Sequence, residues 1–206
     1  MHLLLHNPNS NAGLMNRLGA AAAPFLLSGQ TLRLSTATRG PAFIGSDATI
    51  DAARRQLFEE LEVKAADCDA VVLGCFGDLR IGDLRRRIGK PIVSLWDAFF
   101  ALAPLSGRRY GMVTTSEFWR EKLRAEIRAR DLSSSIVAIE VVAVAATESE
   151  ERLQAAVTVA LDELARKPDV DATVLAGALL IALPVSPADR LSRFDALKAA
   201  INFATL

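Results

Sequence analysis

The chain has 206 residues, carries 24 basic and 24 acidic side chains, and is 51% apolar. This length suffices for one large domain or for two small lobes with a core, and the apolar content argues against a disordered chain. A formal net charge of zero gives no support for electrostatic capture of nucleic acid, which usually needs a basic excess. We therefore expect a globular protein without a nucleic-acid partner.

Cysteine usage and the apolar stretches predict the cellular setting. Cys68 and Cys75 are the only two cysteines, too few for a framework of disulfides, which favours a reducing cytoplasm. The N-terminus lacks the charged and apolar regions of a signal peptide. The longest apolar stretch, from Ala172 to Val185, is too short to span a bilayer. The sequence therefore predicts a soluble, cytoplasmic protein with no membrane partner.

Strand and helix patterns alternate along the first half of the chain. Leu3-Leu4-Leu5 is typical of a buried strand, and it is closed by the turn residues Asn7-Pro8-Asn9-Ser10 before a helix from about Ala12. The other predicted strands of this half are 31–36, 70–75 and 91–95, and the other predicted helices are 46–64, 83–88 and 97–105. Such alternation favours a mainly parallel sheet with helices on its faces.

The same order of elements restarts in the second half. The predicted strands are 110–114, 136–144 and 170–176, and the predicted helices are 117–130, 149–167 and 195–204. Ser116 precedes the first of these helices and is a preferred N-cap residue type. The two halves therefore predict two lobes of similar construction.

An internal repeat supports this duplication. The block Asp67–Cys75 aligns with Asp169–Gly177, with aspartate, alanine, valine and leucine in register, and Ser94–Ala98 aligns with Ser192–Ala196 further on. Chance similarity between two apolar strands is the alternative, but both blocks occur in the same order. We predict an α/β fold of two pseudo-symmetric lobes, each a mainly parallel sheet flanked by helices. Ligands of such sheets bind at the carboxyl ends of the strands, here in a cleft between the lobes.

Four predicted strand ends carry small polar or glycine-rich turns. They are Asn7–Ser10, Cys75–Asp78, Thr114–Ser116 and Gly177. If each turn leads into a helix, its backbone N–H groups attract an anion or a developing oxyanion, and nearby hydroxyls and amides complete the cradle. The alternative is that Ser10 and Ser116 are helix caps and nothing more.

Cys75 is the side chain with the clearest reactive potential. A thiol has an unperturbed pKa of about 8.5, which falls near a helix N-terminus, so at a strand-to-helix turn Cys75 would exchange a proton near neutral pH. The alternative is an inert buried cysteine. Cys68 precedes the strand and is expected to pack. His6 is either a second acid or base or a satisfied core histidine.

With these residues the chain resembles the aspartate/glutamate/hydantoin racemase superfamily, and its hydantoin racemase branch most nearly. The resemblance covers nearly the whole chain and is carried by four short motifs in the same order, of which the cysteine motif is the most specific. The motifs are Asn7-Pro8-Asn9-Ser10, Gly40-Pro41, Cys75-Phe76-Gly77-Asp78 and Val113-Thr114-Thr115.

The resemblance implies two α/β lobes, with residues 1–95 and a returning helix in 190–206 forming the first and 96–189 the second. It implies a small carboxylate or hydantoin-like substrate, no metal or organic cofactor, and a homo-oligomer. No metal-ligand spacing or nucleotide motif occurs in the sequence. Cys75 matches the first catalytic cysteine. With the strand-end pattern, the candidate substrate-binding residues are Asn7, Asn9, Ser10, Phe76, Gly77, Thr114, Thr115, Gly177 and Ala178.

In that family two opposed cysteines remove and return the α-proton. The second cysteine matches Gly177 here, at the position that the internal repeat aligns with Cys75. Three functions stay open. The first is a racemase or epimerase in which water, His6 or Ser186 replaces the second thiol. The second is a decarboxylase or C–C lyase with a single thiol donor, and the third is a small-molecule binder without catalysis.

Overall fold

The computed structural model describes residues 1–143, 149–185 and 191–206. The chain forms two compact units, Met1–Ala98 with Leu197–Leu206, and Phe99–Ala196. The chain thus passes between units after Ala98 and after Ala196, where the sequence predicted passages after residues 95 and 189.

The first unit is built on a four-stranded parallel sheet. Its elements are β1 (His2–Asn7), α1 (Ala12–Ala22), β2 (Thr31–Thr36), α2 (Asp47–Lys64), β3 (Ala70–Leu73), α3 (Gly82–Ile88), β4 (Ile92–Ser94) and the first half of α4 (Leu95–Leu102), whose residues from Phe99 onwards belong to the second unit. The strand order is β2-β1-β3-β4, and every pairing is parallel.

Burial explains why the sequence predicts the central strands of this sheet so clearly. Leu3, Leu4 and Leu5 of β1 are fully buried, as are all four residues of β3. Strands covered on both faces become continuous apolar runs because neither face meets water. The first sheet therefore confirms the predicted parallel arrangement.

The second unit repeats this plan. Its elements are β5 (Tyr110–Thr114), α5 (Glu117–Ala129), β6 (Ile136–Val141), α6 (Glu150–Arg166), β7 (Ala172–Ala176), α7 (Ala178–Ile181) and β8 (Ser192–Phe194). The last helix, α8 (Ala196–Ala204), belongs to the first unit from Leu197 onwards. The strand order is β6-β5-β7-β8, again with every pairing parallel. The α/β class and the two parallel sheets are thus confirmed.

The repeated sequence blocks fall on equivalent elements. The block Asp67–Cys75 contains β3 and the block Asp169–Gly177 contains β7, and both strands occupy the third position of their sheets. The block Ser94–Ala98 opens α4, and Ser192–Ala196 contains β8 and opens α8. Cys75 and Gly177 therefore follow equivalent strands.

Several predicted boundaries differ from the structure; for example, the predicted strand 70–75 ends at Leu73 and the predicted helix 97–105 begins at Leu95. The predicted strand 91–95 ends at Ser94, because the Ser94 hydroxyl accepts a hydrogen bond from the Asp97 amide at 3.0 Å and starts α4 there. The short strand β8 was not predicted at all. The predicted strand 136–144 ends at Val141 in the structure, and its last predicted residue, Val144, lies outside the described residues, as does Ser186. Within the described ranges, no helix has the length and apolarity needed to cross a membrane.

Candidate functional site

A network of asparagine side chains builds the turn that follows β1. Asn7 Nδ2 donates to Asn9 Oδ1 at 2.7 Å and to the Asn11 carbonyl at 3.1 Å. Asn9 Oδ1 also accepts the Asn11 amide at 3.0 Å. Asn7 is fully buried, whereas 9% of Asn9 is exposed. The Nδ2 group of Asn9 donates to no described residue, so Asn9 offers a fixed donor that remains free for a ligand.

The helix cap of this turn is Asn11, and the interpretation of Ser10 as a cap is wrong. Asn11 Oδ1 accepts the Leu14 amide at 3.0 Å at the start of α1. The Ser10 hydroxyl instead donates to the Gly40 carbonyl at 3.2 Å, and the Ser10 amide donates to the Pro41 carbonyl at 3.0 Å. Ser10 therefore ties the turn to the loop after β2. Asn11 was not predicted as the cap, although asparagine directly before a helix is itself a cap signal.

Cys75 lies two residues after β3, beside the asparagine turn. His6 and Leu73 are paired in register, and the Gly74 amide donates to the His6 carbonyl at 2.8 Å. The carboxyl ends of β1 and β3 are thus adjacent, as a parallel sheet requires. Asn9 and Cys75 therefore belong to the same edge of the first sheet.

The environment of Cys75 differs from the one predicted. No helix follows the cysteine directly, because the next helix starts only at Gly82. Cys75 is 8% exposed, and burial, assisted by the negative charge of Asp78, raises the pKa of its thiol to about 12. The expected depression by a helix N-terminus is wrong, since burial disfavours the thiolate. At neutral pH Cys75 is a thiol, ready to donate a proton.

The residues after Cys75 form a packed segment between β3 and α3. Phe76 is buried and makes an edge-to-face contact with Trp96 of α4, with ring centroids 6.1 Å apart. Leu79 and Ile81 are also buried, and Gly77 is buried between them and Phe76. This segment is not helical: it bends at Phe76 and Gly77, and its apolar side chains anchor it. This anchoring also fixes the backbone around the thiol.

His6 points away from this edge. Its Nδ1 lies 3.2 Å from the Ser35 hydroxyl on β2, and its Nε2 lies 3.9 Å from Glu60 Oε1 on α2. Burial, together with the nearby positive charge of Lys64, lowers the pKa of His6 to about 4. These contacts turn the His6 ring towards β2 and α2, so they give no support to the hypothesis that His6 acts beside Cys75.

The corresponding edge of the second unit gathers the predicted threonines. The Thr114 hydroxyl donates to the Ala176 carbonyl at 3.2 Å, which links the ends of β5 and β7. Thr114 and Thr115 are both buried. Ser116 accepts the Trp119 amide at 3.3 Å and caps α5, which confirms the predicted cap.

Gly177 and Ala178 lie at the same edge, where β7 ends and the short helix α7 begins. Both residues are partly exposed. A Cβ atom built on Gly177 would lie 3.1 Å from Thr115 Cγ2 and 3.5 Å from Leu180 Cγ. A small side chain is thus accommodated if Thr115 shifts slightly. The structure therefore brings Thr114, Thr115, Gly177 and Ala178 together.

Metal chemistry finds no support in the described part of the chain. Within residues 1–143, 149–185 and 191–206, no group of three or more His, Cys, Asp or Glu side chains is placed to hold a metal ion. What the two sheet edges offer instead is a protonated thiol, a free amide donor and small side chains.

Comparisons with known proteins agree with this architecture. A hydantoin racemase of Paenarthrobacter aurescens is 25% identical over 141 residues, which cover 68% of this chain and 60% of that protein. The aligned part is thus less than two thirds of that relative.

Solved structures show the same fold along the whole chain. The allantoin racemase of Klebsiella pneumoniae superposes with a TM-score of 0.76 at 17% identity, covering 100% of this chain and 86% of that one. A liganded double mutant of arylmalonate decarboxylase superposes with a TM-score of 0.67 at 15% identity, covering 99% of this chain and 91% of that one.

The family assignment rests on a match to nearly the full sequence. The sequence model of Asp/Glu/hydantoin racemases matches residues 3–204. The two parallel sheets and the position of Cys75 after β3 are consistent with that match. This chain belongs to the Asp/Glu/hydantoin racemase family.

Proposed function

We propose that the chain is a cofactor-independent racemase or epimerase acting on an amino-acid or hydantoin-type substrate, with Cys75 carrying a proton to or from Cα. Family membership supports the reaction class. One observation supports the site: the Cys75 thiol and the free Nδ2 of Asn9 belong to the same edge of the first sheet. A proton carrier and an oxyanion donor are two of the groups that racemisation at Cα needs, and in this proposal water replaces the second thiol as the proton source on the opposite face.

Asn9 has the role of a substrate anchor in this proposal. Deprotonation at Cα leaves negative charge on the neighbouring carbonyl or carboxylate oxygen, and a prepositioned donor stabilises that charge. Asn9 is prepositioned because its own oxygen is held by Asn7 and Asn11. The other proposed substrate contacts are Ser10, Phe76, Gly77, Thr114, Thr115, Gly177 and Ala178, with Asn7 supporting the turn.

A decarboxylase or C–C lyase with a single thiol is a second candidate, and the protonation state of Cys75 favours it. Loss of a carbon group generates a carbanion without a base, so the enzyme needs one proton donor. The thiol with a pKa of about 12 is such a donor at neutral pH. The residue equivalent to Cys75 in the second unit is Gly177, which has no acidic group.

One set of assays separates these candidates. Chiral 5-substituted hydantoins, aspartate and glutamate are incubated with the protein in heavy water, and 2-substituted malonates are supplied in parallel. Proton NMR follows exchange at Cα, polarimetry follows loss of optical rotation, and released carbon dioxide reports decarboxylation. Exchange with loss of rotation supports the racemase proposal.

Other outcomes of these assays count against the racemase proposal. Carbon dioxide release from malonates without exchange of the chiral substrates would replace it with the lyase. Ligand-induced thermal stabilisation without turnover of any substrate would indicate a binding protein and contradict both enzymatic candidates.

A further inference from the structure

The loop between β2 and α2 helps to hold the asparagine turn in place. The Ser10 amide donates to the Pro41 carbonyl at 3.0 Å, and the Ser10 hydroxyl donates to the Gly40 carbonyl at 3.2 Å. Ser10 directly follows Asn9, whose Nδ2 group is the proposed substrate anchor. The position of that anchor therefore depends on the backbone of residues 40 and 41 as well as on the turn itself.

Glu60 of α2 fixes the beginning of this loop. Its carboxylate accepts the Thr38 amide, with Oε1 at 3.3 Å and Oε2 at 3.2 Å from the nitrogen. Only 12% of the Glu60 side chain is exposed, so the carboxylate lies against the protein. Thr38 is two residues before Gly40. The loop is thus bound to α2 at Thr38 and to the asparagine turn at residues 40 and 41.

Lys64, one helical turn further along α2, orients the carboxylate. Lys64 Nζ lies 3.1 Å from Glu60 Oε1 and donates to the Thr36 carbonyl at 2.6 Å. Burial alone would raise the pKa of Glu60, but hydrogen bonds from Thr38 and Lys64 outweigh it and lower that pKa. Glu60 is therefore ionised at neutral pH, and charge-assisted hydrogen bonds hold residues 36 and 38 to α2.

A second contact between this loop and α2 is weaker. Arg39 Nη2 lies 3.2 Å from Glu59 Oε2, but 76% of the arginine side chain and 57% of the glutamate side chain are exposed. Exposed ion pairs of this kind contribute little to stability. Of the two contacts, the one made by Glu60 therefore decides where the loop lies.

We propose that Glu60 is a positioning residue for the substrate anchor: through the Thr38 amide it holds the loop that in turn holds Ser10 and Asn9. Without the carboxylate, residues 38–41 are free to move, and both hydrogen bonds of Ser10 to the loop loosen. The Asn9 side chain then loses its fixed direction, and a donor that is not prepositioned stabilises an anion less well. The effect on a substrate rests on the proposed function, whereas the effect on the turn does not.

Three variants of the full chain separate this role from a general effect on stability. Glu60→Ala removes the acceptor, Glu60→Gln keeps one oxygen for the Thr38 amide, and Glu62→Ala is the matched control. Glu62 is exposed on the same helix and pairs with Arg87 of α3 at 3.1 Å rather than with the loop. Amide hydrogen exchange, resolved by residue with NMR, measures local opening. Steady-state kinetics with chiral hydantoins, aspartate and glutamate measure KM and kcat.

A local effect is expected in Glu60→Ala. The Thr38 and Ser10 amides should exchange at least about tenfold faster than in wild type, because their hydrogen bonds open locally. The amides of β3 should keep their rates. KM should rise about tenfold with a smaller change in kcat, as expected when substrate binding is lost. Glu60→Gln should restore most of both properties, and Glu62→Ala should behave as wild type.

Three results would overturn the proposal. Unchanged exchange at Ser10 in Glu60→Ala would mean that the loop holds the turn without Glu60. Exchange that becomes equally faster at Ser10 and throughout β3 would mean that Glu60 stabilises the whole fold. An unchanged KM despite faster exchange at Ser10 would contradict the role at the substrate anchor. A wild type that turns over none of these substrates contradicts the proposed function alone, because the exchange rates still test whether Glu60 holds the turn.

Discussion

The side-chain amide of Asn7 donates to the side-chain oxygen of Asn9 at 2.7 Å. The two residues share one turn but have opposite roles. Both donated hydrogen bonds of Asn7 stay within the turn, on Asn9 and on the Asn11 carbonyl. Asn9 uses only its oxygen there and keeps its Nδ2 group free. One asparagine therefore supports the structure, and the other is available to a substrate.

Replacing Asn9 with aspartate tests this division. Asn9→Asp keeps the acceptor that holds the turn, removes the free donor and adds a negative charge that repels a carboxylate. We expect substrate binding to weaken about tenfold or more, since hydrogen bonds to charged groups contribute about 1.5–3 kcal/mol. Unfolding by urea should change little, and substrate titration measures the affinity.

Asn7→Asp is the matched control. It removes both donors of a buried side chain, so it should lower the free energy of unfolding by about 1–3 kcal/mol. If Asn9→Asp destabilises the fold as much as Asn7→Asp and binds substrate normally, the assigned roles are wrong.

The raised pKa of Cys75 predicts slow alkylation. In a Cys68→Ala background, where Cys75 is the only thiol, iodoacetamide should react at pH 8 at least about a hundredfold more slowly than with a free cysteine, because only the thiolate attacks. The rate should rise about tenfold per pH unit up to pH 10, since the pKa is about 12. Reaction as fast as that of free cysteine at pH 8 would show an ionised thiol.

Because the pKa of buried His6 is lowered, we predict that the stability of the fold depends on pH between about 4 and 6.5. Its folded-state pKa of about 4 lies below the ordinary value of 6.5, so between these values the unfolded chain binds a proton that the folded protein does not. Stability should therefore fall as the pH drops from 6.5 towards 4, by at most about 1.4 kcal/mol per pH unit from this residue. Urea unfolding at several pH values measures it.

His6→Asn should remove this part of the pH dependence. The control His2→Asn, at an exposed residue, should leave this pH dependence of stability unchanged because His6 is still present. An unchanged slope in His6→Asn would mean that His6 does not cause it.

We predict that the substitution Gly177→Cys increases the rate of racemisation. The new side chain sits at the strand end equivalent to that of Cys75, and its Cβ would approach Thr115 Cγ2 to 3.1 Å, which a slight shift of a threonine methyl relieves. The family resemblance places a second proton carrier there. We expect polarimetry to show racemisation at least about tenfold faster than in wild type, within the usual range for a positioned acid or base. The matched substitution Ala178→Cys should not reproduce the effect.

Most of the fold could be predicted from the sequence because apolar runs and helix caps depend on residues that are close together in the chain. The apolar runs of β1 and β3 reflect burial on both faces of a sheet, and Ser116 caps α5 through a bond only three residues long. The strand β8 escaped prediction because it has three residues and depends on pairing with β7. Its sequence, Ser192-Arg193-Phe194, carries no apolar run of its own.

The candidate site was predictable in position but not in electrostatics. The motif around Cys75 located the thiol at a strand end. Its pKa depends on burial in the folded chain and on the charge of Asp78, and the degree of burial is not encoded in the local motif. The direction of the His6 side chain is likewise set by Ser35 and Glu60, which are brought close only by the fold.

Hydrogen–deuterium exchange at Cα tests the central claim most directly. Wild type, Cys75→Ala and the matched control Cys68→Ala are compared by proton NMR in heavy water with the same chiral hydantoins and amino acids. Both replacements remove one buried thiol. We predict exchange by wild type and Cys68→Ala and none by folded Cys75→Ala. Exchange by Cys75→Ala at the wild-type rate would contradict the role of Cys75, and absence of exchange in wild type would contradict the proposed reaction itself.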